Sequence, residues 1–216
     1  MTSTTTTAAA IAAAYPKAAG VARELVAVAE RLGAPPFALA NLIQFESGWN
    51  PKAINQTSGA SGLIQFMPST AKRLGTTVEA IRRLDAAGQL PLVERYLAPF
   101  KGRLGSQQAV AMAVFYPVAM TWPDDKPFPA AVQRANPGIR TPADYVAKLL
   151  RRARLTSAEQ VAVRGAKVAG GAWLAGGLAF AAVLAWRAWR AGVFRGSLTG
   201  ATGAGGKFSQ PSGAEP

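Results

Sequence analysis

Apolar residues recur at helical spacing along the first 155 residues, and Gly or Pro stands where each helix would begin or end. Residues 21–32 place their apolar side chains on one face, and Gly33 follows as a natural stop. A second predicted helix begins at Pro35-Pro36 and runs to about Ser47. No run of alternating apolar and polar residues indicates a strand. The sequence therefore predicts an all-α domain.

The chain divides into four predicted parts. Residues 1–15 begin with Thr and Ala repeats, do not resemble a signal peptide, and are expected to form a flexible tail. Residues 16–155 are long enough to bury one core and form the predicted folded domain. Residues 156–192 contain a basic linker followed by an apolar stretch. Residues 193–216 are rich in Gly, Ser, Ala and Thr and are expected to form a second flexible tail.

The apolar stretch at 168–186 contains nineteen residues without a charge. As a helix it would be about 28 Å long, close to the ~30 Å hydrocarbon core of a bilayer. Trp173 and Trp186 lie near its ends, at the depth that aromatic residues favour. We expect a single transmembrane helix here, with a buried core helix as the alternative. Basic residues flank both sides, so the orientation stays undecided.

Charge and two missing residue types restrict the chemistry. Lys and Arg total 24 against 11 Asp and Glu, which gives a net charge of +13. This charge indicates an anionic partner, such as nucleic acid, anionic lipid or the bacterial cell wall. The chain has no His and no Cys, which excludes a Ser-His-Asp triad, a Cys-His pair and thiolate or imidazole metal ligands. We expect no metal and no cofactor, and acid–base chemistry falls to a carboxyl, Lys, Tyr or water.

Glu46 is the first candidate for such chemistry. It lies near the C-terminal end of the second predicted helix, next to Phe45 and three residues before Trp49. Apolar surroundings and the negative end of the helix dipole should both raise its carboxyl pKa. A carboxyl that is protonated near neutral pH is suited to general acid catalysis. The alternative is a solvated Glu on the surface.

Two sequence blocks carry a family resemblance. They read Glu-Ser-Gly-Trp-Asn-Pro at 46–51 and Ser-Gly-Ala-Ser-Gly-Leu-Ile-Gln-Phe-Met-Pro-Ser-Thr-Ala at 58–71. In order and approximate spacing they resemble the soluble lytic transglycosylase (SLT) family of the lysozyme-like superfamily, over about residues 16–152. The resemblance implies a helical, lysozyme-like fold with a glycan groove. It also implies cleavage of the MurNAc–GlcNAc β-1,4 bond in peptidoglycan. Glu46 would act as acid and then as base, closing a 1,6-anhydromuramoyl ring.

The resemblance also implies substrate-binding residues, identified by their positions in the family motifs. Pro117 departs from the pattern: the family reads Ala-Tyr-Asn-Ala-Gly in this helix, whereas Pro follows the Tyr here, so the Asn and Gly are absent. The implied substrate-binding residues are Gln65, Met67, Tyr116, Tyr145, Asn55 and Ser58.

Two other functions remain open from the sequence. A lysozyme-type glycoside hydrolase would need a second carboxyl roughly 5–9.5 Å from the first. The segment 44–71 has no acidic residue besides Glu46, but Asp124 and Asp125 in a later loop could fold over the site. A membrane-anchored structural or glycan-binding protein without activity is the other alternative. We expect no nucleic-acid partner, because no nucleic-acid-binding motif occurs.

The predicted anchor, together with the absence of an export signal in residues 1–15, bears on location. The chain most resembles membrane-anchored virion transglycosylases of bacteriophages with an internal membrane. That resemblance implies a single-pass protein of the virion membrane, with other virion membrane proteins as partners, that opens the cell wall during entry or lysis. The alternative is the bacterial inner membrane, with the domain facing the periplasm.

Overall fold

The computed structural model describes residues 2–153, and these residues form a helical domain with one hydrophobic core. Short 3-10 segments occur at Pro16–Ala18, Ala98–Phe100 and Pro117–Ala119. The described residues contain two isolated bridges, Ile54–Ser61 and Ser61–Phe66, and no strand, so the all-α prediction is confirmed. The α-helices are α1 (Thr2–Ala14), α2 (Ala22–Leu32), α3 (Pro36–Ser47), α4 (Pro68–Arg73), α5 (Val78–Arg83), α6 (Ala86–Leu97), α7 (Gln107–Phe115), α8 (Ala130–Ala135) and α9 (Pro142–Arg152).

Helix α3 lies at the centre of the domain and contacts α1, α2, α7 and α9. It begins at Pro36, because a proline in the first turn loses no intrahelical hydrogen bond. It ends at Gly48, whose φ of 59° is a left-handed conformation that glycine adopts without steric cost. Both ends were predicted from these residues. The neighbouring helices bury α3 on several sides and place its last turn, with Glu46, at the edge of the core.

The predicted flexible tail at residues 1–15 is wrong. Thr2–Ala14 form helix α1, which packs mainly against α2. Ile11 and Tyr15 are buried, and the Tyr15 hydroxyl donates a hydrogen bond of 2.6 Å to Oδ1 of buried Asn41 in α3. The Thr/Ala pattern has almost no apolar face, so it gives no periodic signal for a helix. The helix forms because alanine has a high helix propensity and because tertiary contacts stabilise the segment.

Gln89 of α6 holds the loop between α3 and α4 in place through hydrogen bonds. This side chain is fully buried, and its Oε1 accepts a hydrogen bond of 2.8 Å from the Leu63 N–H. Its Nε2 donates to the carbonyl oxygens of Pro51 at 2.7 Å and Ile81 at 2.9 Å. Because a buried amide with satisfied partners resists displacement, Gln89 fixes the loop that faces Glu46.

The described residues contain no helix that is both long and apolar enough to cross a bilayer. The predicted span at 168–186, the rest of the predicted segment 156–192 and the predicted tail at 193–216 lie outside the described residues.

Candidate active site

A cavity of about 500 Å³ opens at the C-terminal end of α3. The last turn of α3 forms one side of it, with Phe45 and Glu46. Ile54 and Gln65 line it from the following loop, and Arg152 lines it from the end of α9. Three parts of the sequence therefore meet around the Glu46 carboxyl in a cavity of the size that holds small ligands.

The Glu46 carboxyl is held by Tyr145 of α9. The Tyr145 hydroxyl donates a hydrogen bond of 2.9 Å to Glu46 Oε1. The Tyr145 ring is fully buried, stacked on Phe115 at a centroid distance of 4.2 Å and edge-on to Phe45 at 5.4 Å. Aromatic contacts on two sides fix the ring, and the fixed ring orients the carboxyl.

The pKa of Glu46 is raised to about 7. Burial of the carboxyl is the main cause, and the hydrogen bond from Tyr145 opposes it by stabilising the charged form. The residue as a whole is only partly buried, because one side faces the cavity. The rise that the apolar surroundings predicted is thus present. Both protonation states of Glu46 are accessible near neutral pH.

A second tyrosine, which was not predicted, is influenced by the charge of this carboxyl. Tyr96 of α6 donates a hydrogen bond of 3.1 Å to the carbonyl of Ala113. Burial raises its pKa to about 12, Arg73 lowers it, and the charge of Glu46 raises it. Burial, followed by Glu46, also raises the pKa of Tyr145 well above its usual range. Both phenols therefore stay protonated near neutral pH.

Gln65 lines the same cavity as Glu46, and the substrate binding that the resemblance implies for it stays a prediction. It is buried, lines the cavity, and has a φ of 53°, which is uncommon outside glycine. Its Nε2 donates to the carbonyl of Gly62 at 3.1 Å, which orients the amide in the cavity wall. The sequence motif therefore encodes an unusual backbone conformation as well as a polar side chain.

Three other predicted binding residues shape the loop and are not part of the cavity lining. Asn55 is buried, and its Oδ1 accepts hydrogen bonds from the N–H groups of Thr57 and Ser58. The Ser58 hydroxyl accepts one from Ala60. Met67 immediately precedes α4 and is partly buried. Their binding of substrate stays a prediction, because what the structure gives is their part in the loop.

Tyr116 lies at the end of α7, within an aromatic cluster. Its ring is edge-on to Trp122 at 5.7 Å and to Phe128 at 5.5 Å. The residue is buried and is not part of the cavity lining, and burial raises its pKa. Its predicted binding role is likewise untested.

Glu46 is the one carboxyl among the described residues that line the cavity. Asp124 and Asp125 are exposed and lie outside this lining, and the backbone carbonyl of Asp124 accepts a hydrogen bond from Ala143. Within residues 2–153, no group of three or more acidic residues is placed to hold a metal ion. Among the described lining residues, the Glu46 carboxyl is suited to proton transfer near neutral pH, and the Arg152 cation lies in the same lining.

Arg152, the cation in the cavity, was seen in the sequence only as part of a basic stretch. Its guanidinium lies 5.9 Å from the centre of the Phe45 ring. It follows Tyr145 by seven residues in α9, and this spacing puts the two side chains on one face of the helix. That periodicity is the signal that could have identified it.

Comparison with known proteins agrees with the family resemblance. The family model described as Transglycosylase SLT domain matches residues 25–113, which include Glu46, Gln65 and Met67 and end before Tyr116 and Tyr145. Neither the curated proteins nor the solved structures include a match to the chain. Residues 25–113 are thus similar to the transglycosylase SLT domain, a family of lytic transglycosylases that act on peptidoglycan.

Proposed function

We propose that this protein is a peptidoglycan lytic transglycosylase that breaks the β-1,4 bond between MurNAc and GlcNAc and leaves 1,6-anhydromuramoyl ends. The observation that carries the proposal is the environment of Glu46. Its carboxyl has a pKa of about 7, accepts a hydrogen bond from Tyr145, and stands alone among the carboxyls of the described cavity lining. The match to the SLT domain supports peptidoglycan as the substrate class.

In the first step, protonated Glu46 donates its proton to the glycosidic oxygen while the bond from that oxygen to the muramoyl C1 breaks. Burial supports this step because it keeps the proton on the carboxyl near neutral pH. As the proton leaves, Glu46 becomes a carboxylate. The hydrogen bond from Tyr145 then strengthens, because its acceptor has become charged.

In the second step, the Glu46 carboxylate accepts the proton of the muramoyl C6 hydroxyl while O6 forms a bond to C1. The anhydro ring closes, Glu46 is protonated again, and no water is consumed. One group with a pKa of about 7 suits both halves of this cycle. A two-carboxylate hydrolase would need a partner roughly 5–9.5 Å away. The exposed Asp124 and Asp125 lie outside the cavity lining and do not favour that alternative.

Mass spectrometry of purified peptidoglycan after incubation with the full chain tests the proposal, with Glu46→Gln as the matched control. Anhydromuropeptides from the wild-type protein, and none from the variant, are the expected result. New reducing ends would assign a hydrolase. Unchanged peptidoglycan with retained glycan binding would assign an inactive glycan-binding protein.

We further propose that the enzyme acts from a membrane, as a single-pass protein of a bacteriophage virion membrane that opens the wall during entry or lysis. The support is the uncharged sequence at 168–186 with its flanking arginines, together with the resemblance to membrane-anchored virion transglycosylases. The alternative setting is the bacterial inner membrane. Electron microscopy of gold-labelled antibody on particles and on infected cells distinguishes the two.

A further inference from the structure

We propose that Arg152 binds a carboxylate on the muramoyl substituent of the glycan and makes the cavity selective for peptidoglycan over uncharged GlcNAc polymers. The inference rests on the proposed function and names the part of the substrate that this cavity recognises. Its basis is the position of Arg152, a cation in the lining of the cavity that holds Glu46, which forms no salt bridge with any residue that the structure describes.

The geometry places Arg152 close to the proposed reaction. Arg152 and Glu46 line the same cavity of about 500 Å³. A group bound by Arg152 would therefore belong to a sugar at or next to the bond that Glu46 protonates. The Phe45 ring, 5.9 Å from the guanidinium carbon, lies under the cation and restricts its position.

No carboxylate among the described residues pairs with the Arg152 guanidinium. The salt bridges of the described residues join Arg31 to Glu24 and Glu94, and Arg82 to Glu79, and none involves Arg152. An exposed guanidinium in a cavity wall is available to an anionic ligand.

The neighbouring charges favour an anion further. Burial, followed by Arg151 and Arg152, lowers the pKa of Lys148 on the same helix. Three cations thus stand within two turns of α9, and their mutual repulsion is relieved when an anion binds. Arg151 is exposed but is not part of the cavity lining. It therefore contributes to the positive electrostatic potential around the cavity but does not line the cavity itself.

The group in the glycan that a guanidinium can pair with is a carboxylate, and it is carried by the muramoyl substituent. GlcNAc carries hydroxyl and acetamido groups and no charge. MurNAc carries a lactyl ether whose carboxylate is free in peptide-free strands and is amide-linked in peptide-bearing strands, where the stem brings its own carboxylates. A planar guanidinium binds a carboxylate through two parallel hydrogen bonds, which an ammonium cannot reproduce.

Binding measurements on the full chain test the inference, with Glu46→Gln in every protein so that no probe is cleaved. The probes are three oligosaccharides of equal length: GlcNAc alone, alternating GlcNAc–MurNAc without peptide, and the same strand with peptide stems. The variants are Arg152→Gln, Arg152→Lys and the matched control Arg151→Gln. Titration calorimetry measures each affinity, and circular dichroism checks each fold.

We expect Arg152→Gln to weaken binding of a MurNAc-containing probe about tenfold and of the GlcNAc probe less than twofold. Arg152→Lys should recover part of the loss, and Arg151→Gln should change each affinity less than threefold. A loss confined to the peptide-free strand identifies the lactyl carboxylate. A loss confined to the peptide-bearing strand identifies the stem, and a loss for both identifies a site that takes either.

Equal losses on all three probes would overturn the inference, because Arg152 would then act on the cavity's structure. The inference would also be overturned if Arg152→Gln caused no loss of affinity, or if Arg151→Gln caused an equal loss. Binding to vesicles of anionic lipid that falls with Arg152→Gln while glycan affinity is unchanged would assign the residue to a membrane surface. If the wild-type chain cleaves no peptidoglycan but its glycan binding depends on charge as expected, the proposed function is refuted while the inference about Arg152 stands.

Discussion

The Tyr145 hydroxyl reaches Glu46 Oε1 at 2.9 Å, although the two residues are 99 positions apart in the chain. The contact joins the last turn of α3 to α9, the last helix that the structure describes. It acts against burial, which raises the Glu46 pKa. The balance of these two effects leaves the carboxyl able to release and to regain a proton near neutral pH.

Glu46→Gln should abolish cleavage of peptidoglycan and leave the fold intact. Glutamine keeps the size of the side chain and can still accept the Tyr145 hydrogen bond, but it has no proton to transfer. We expect a loss of at least 100-fold, of the order usual for removing a general acid. Release of soluble muropeptides measures it, beside circular dichroism of both proteins. Retention of more than a few per cent of activity would remove Glu46 from the mechanism.

The activity of the wild-type protein should fall as the pH rises through about 7, because Glu46 must be protonated for the first step. Tyr145→Phe removes the hydrogen bond that lowers this pKa, so the alkaline limit should move to higher pH while the maximal rate drops. Tyr15→Phe is the matched control, because its hydroxyl bonds Asn41 away from the cavity. A pH–rate profile for each protein measures the shift, and identical profiles would contradict this role for Tyr145.

Stability should depend on Glu46 in the same pH range. Its pKa is about 7 in the folded protein and about 4.5 in the unfolded chain, so the folded state binds more protons between these values. The free energy of unfolding therefore decreases as the pH rises from 4.5 to 7, by about 3 kcal/mol. Glu46→Gln removes that dependence.

Urea denaturation at pH 4.5 and pH 8 tests this expectation. The variant's stability relative to wild type should rise between the two pH values by that amount. Asp125→Asn, at an exposed carboxyl, serves as the control. A pH-independent difference between Glu46→Gln and wild type would show that the carboxyl is not desolvated.

Gly62→Ala should destabilise the loop that carries Gln65. Gly62 has a φ of 80°, and an added Cβ would lie 2.5 Å from Gln89 Oε1, which already accepts the Leu63 N–H. Gly75→Ala is the matched control, because Gly75 has a φ of 73° with nothing within 4 Å of an added Cβ. We expect a cost of about 1–2 kcal/mol for Gly75→Ala and about 2 kcal/mol more for Gly62→Ala. Thermal denaturation measures the loss of stability in both variants, and equal losses would show that the Gln89 side chain moves away from the added Cβ.

Local signals in the sequence predicted the elements that carry the candidate site. Prolines before α3 and glycines after α2 and α3 set those boundaries, because their backbone restrictions act without tertiary context. The Glu46 environment followed from the apolar neighbours of one helix end. Features fixed by adjacent residues were therefore predictable.

Features that depend on distant contacts were not predictable in the same way. Helix α1 has no apolar stripe, and it is held by Ile11 and Tyr15 in a core built from later helices. Arg152 lines the cavity from α9, and Tyr96 of α6 is influenced by the charge of Glu46; both residues lie outside the motif blocks. Asn55 lies within the loop, and its side-chain oxygen accepts hydrogen bonds from backbone N–H groups of the turn. The sequence does not distinguish this structural role from ligand binding, because an Asn oxygen can bond nearby backbone as readily as a ligand.

Removal of the sequence after Leu155 should give a soluble protein that still cuts peptidoglycan, because residues 2–153 contain the core and the cavity. The full chain should partition with lipid vesicles and resist extraction by high salt, since an uncharged stretch at 168–186 binds by the hydrophobic effect. Leu178→Arg is the sharper control. A charge near the middle of a span costs about 2.5–3.5 kcal/mol, so this variant should shift toward the supernatant while keeping its activity. Release of the full chain by salt alone would show that the flanking arginines make an electrostatic contact instead.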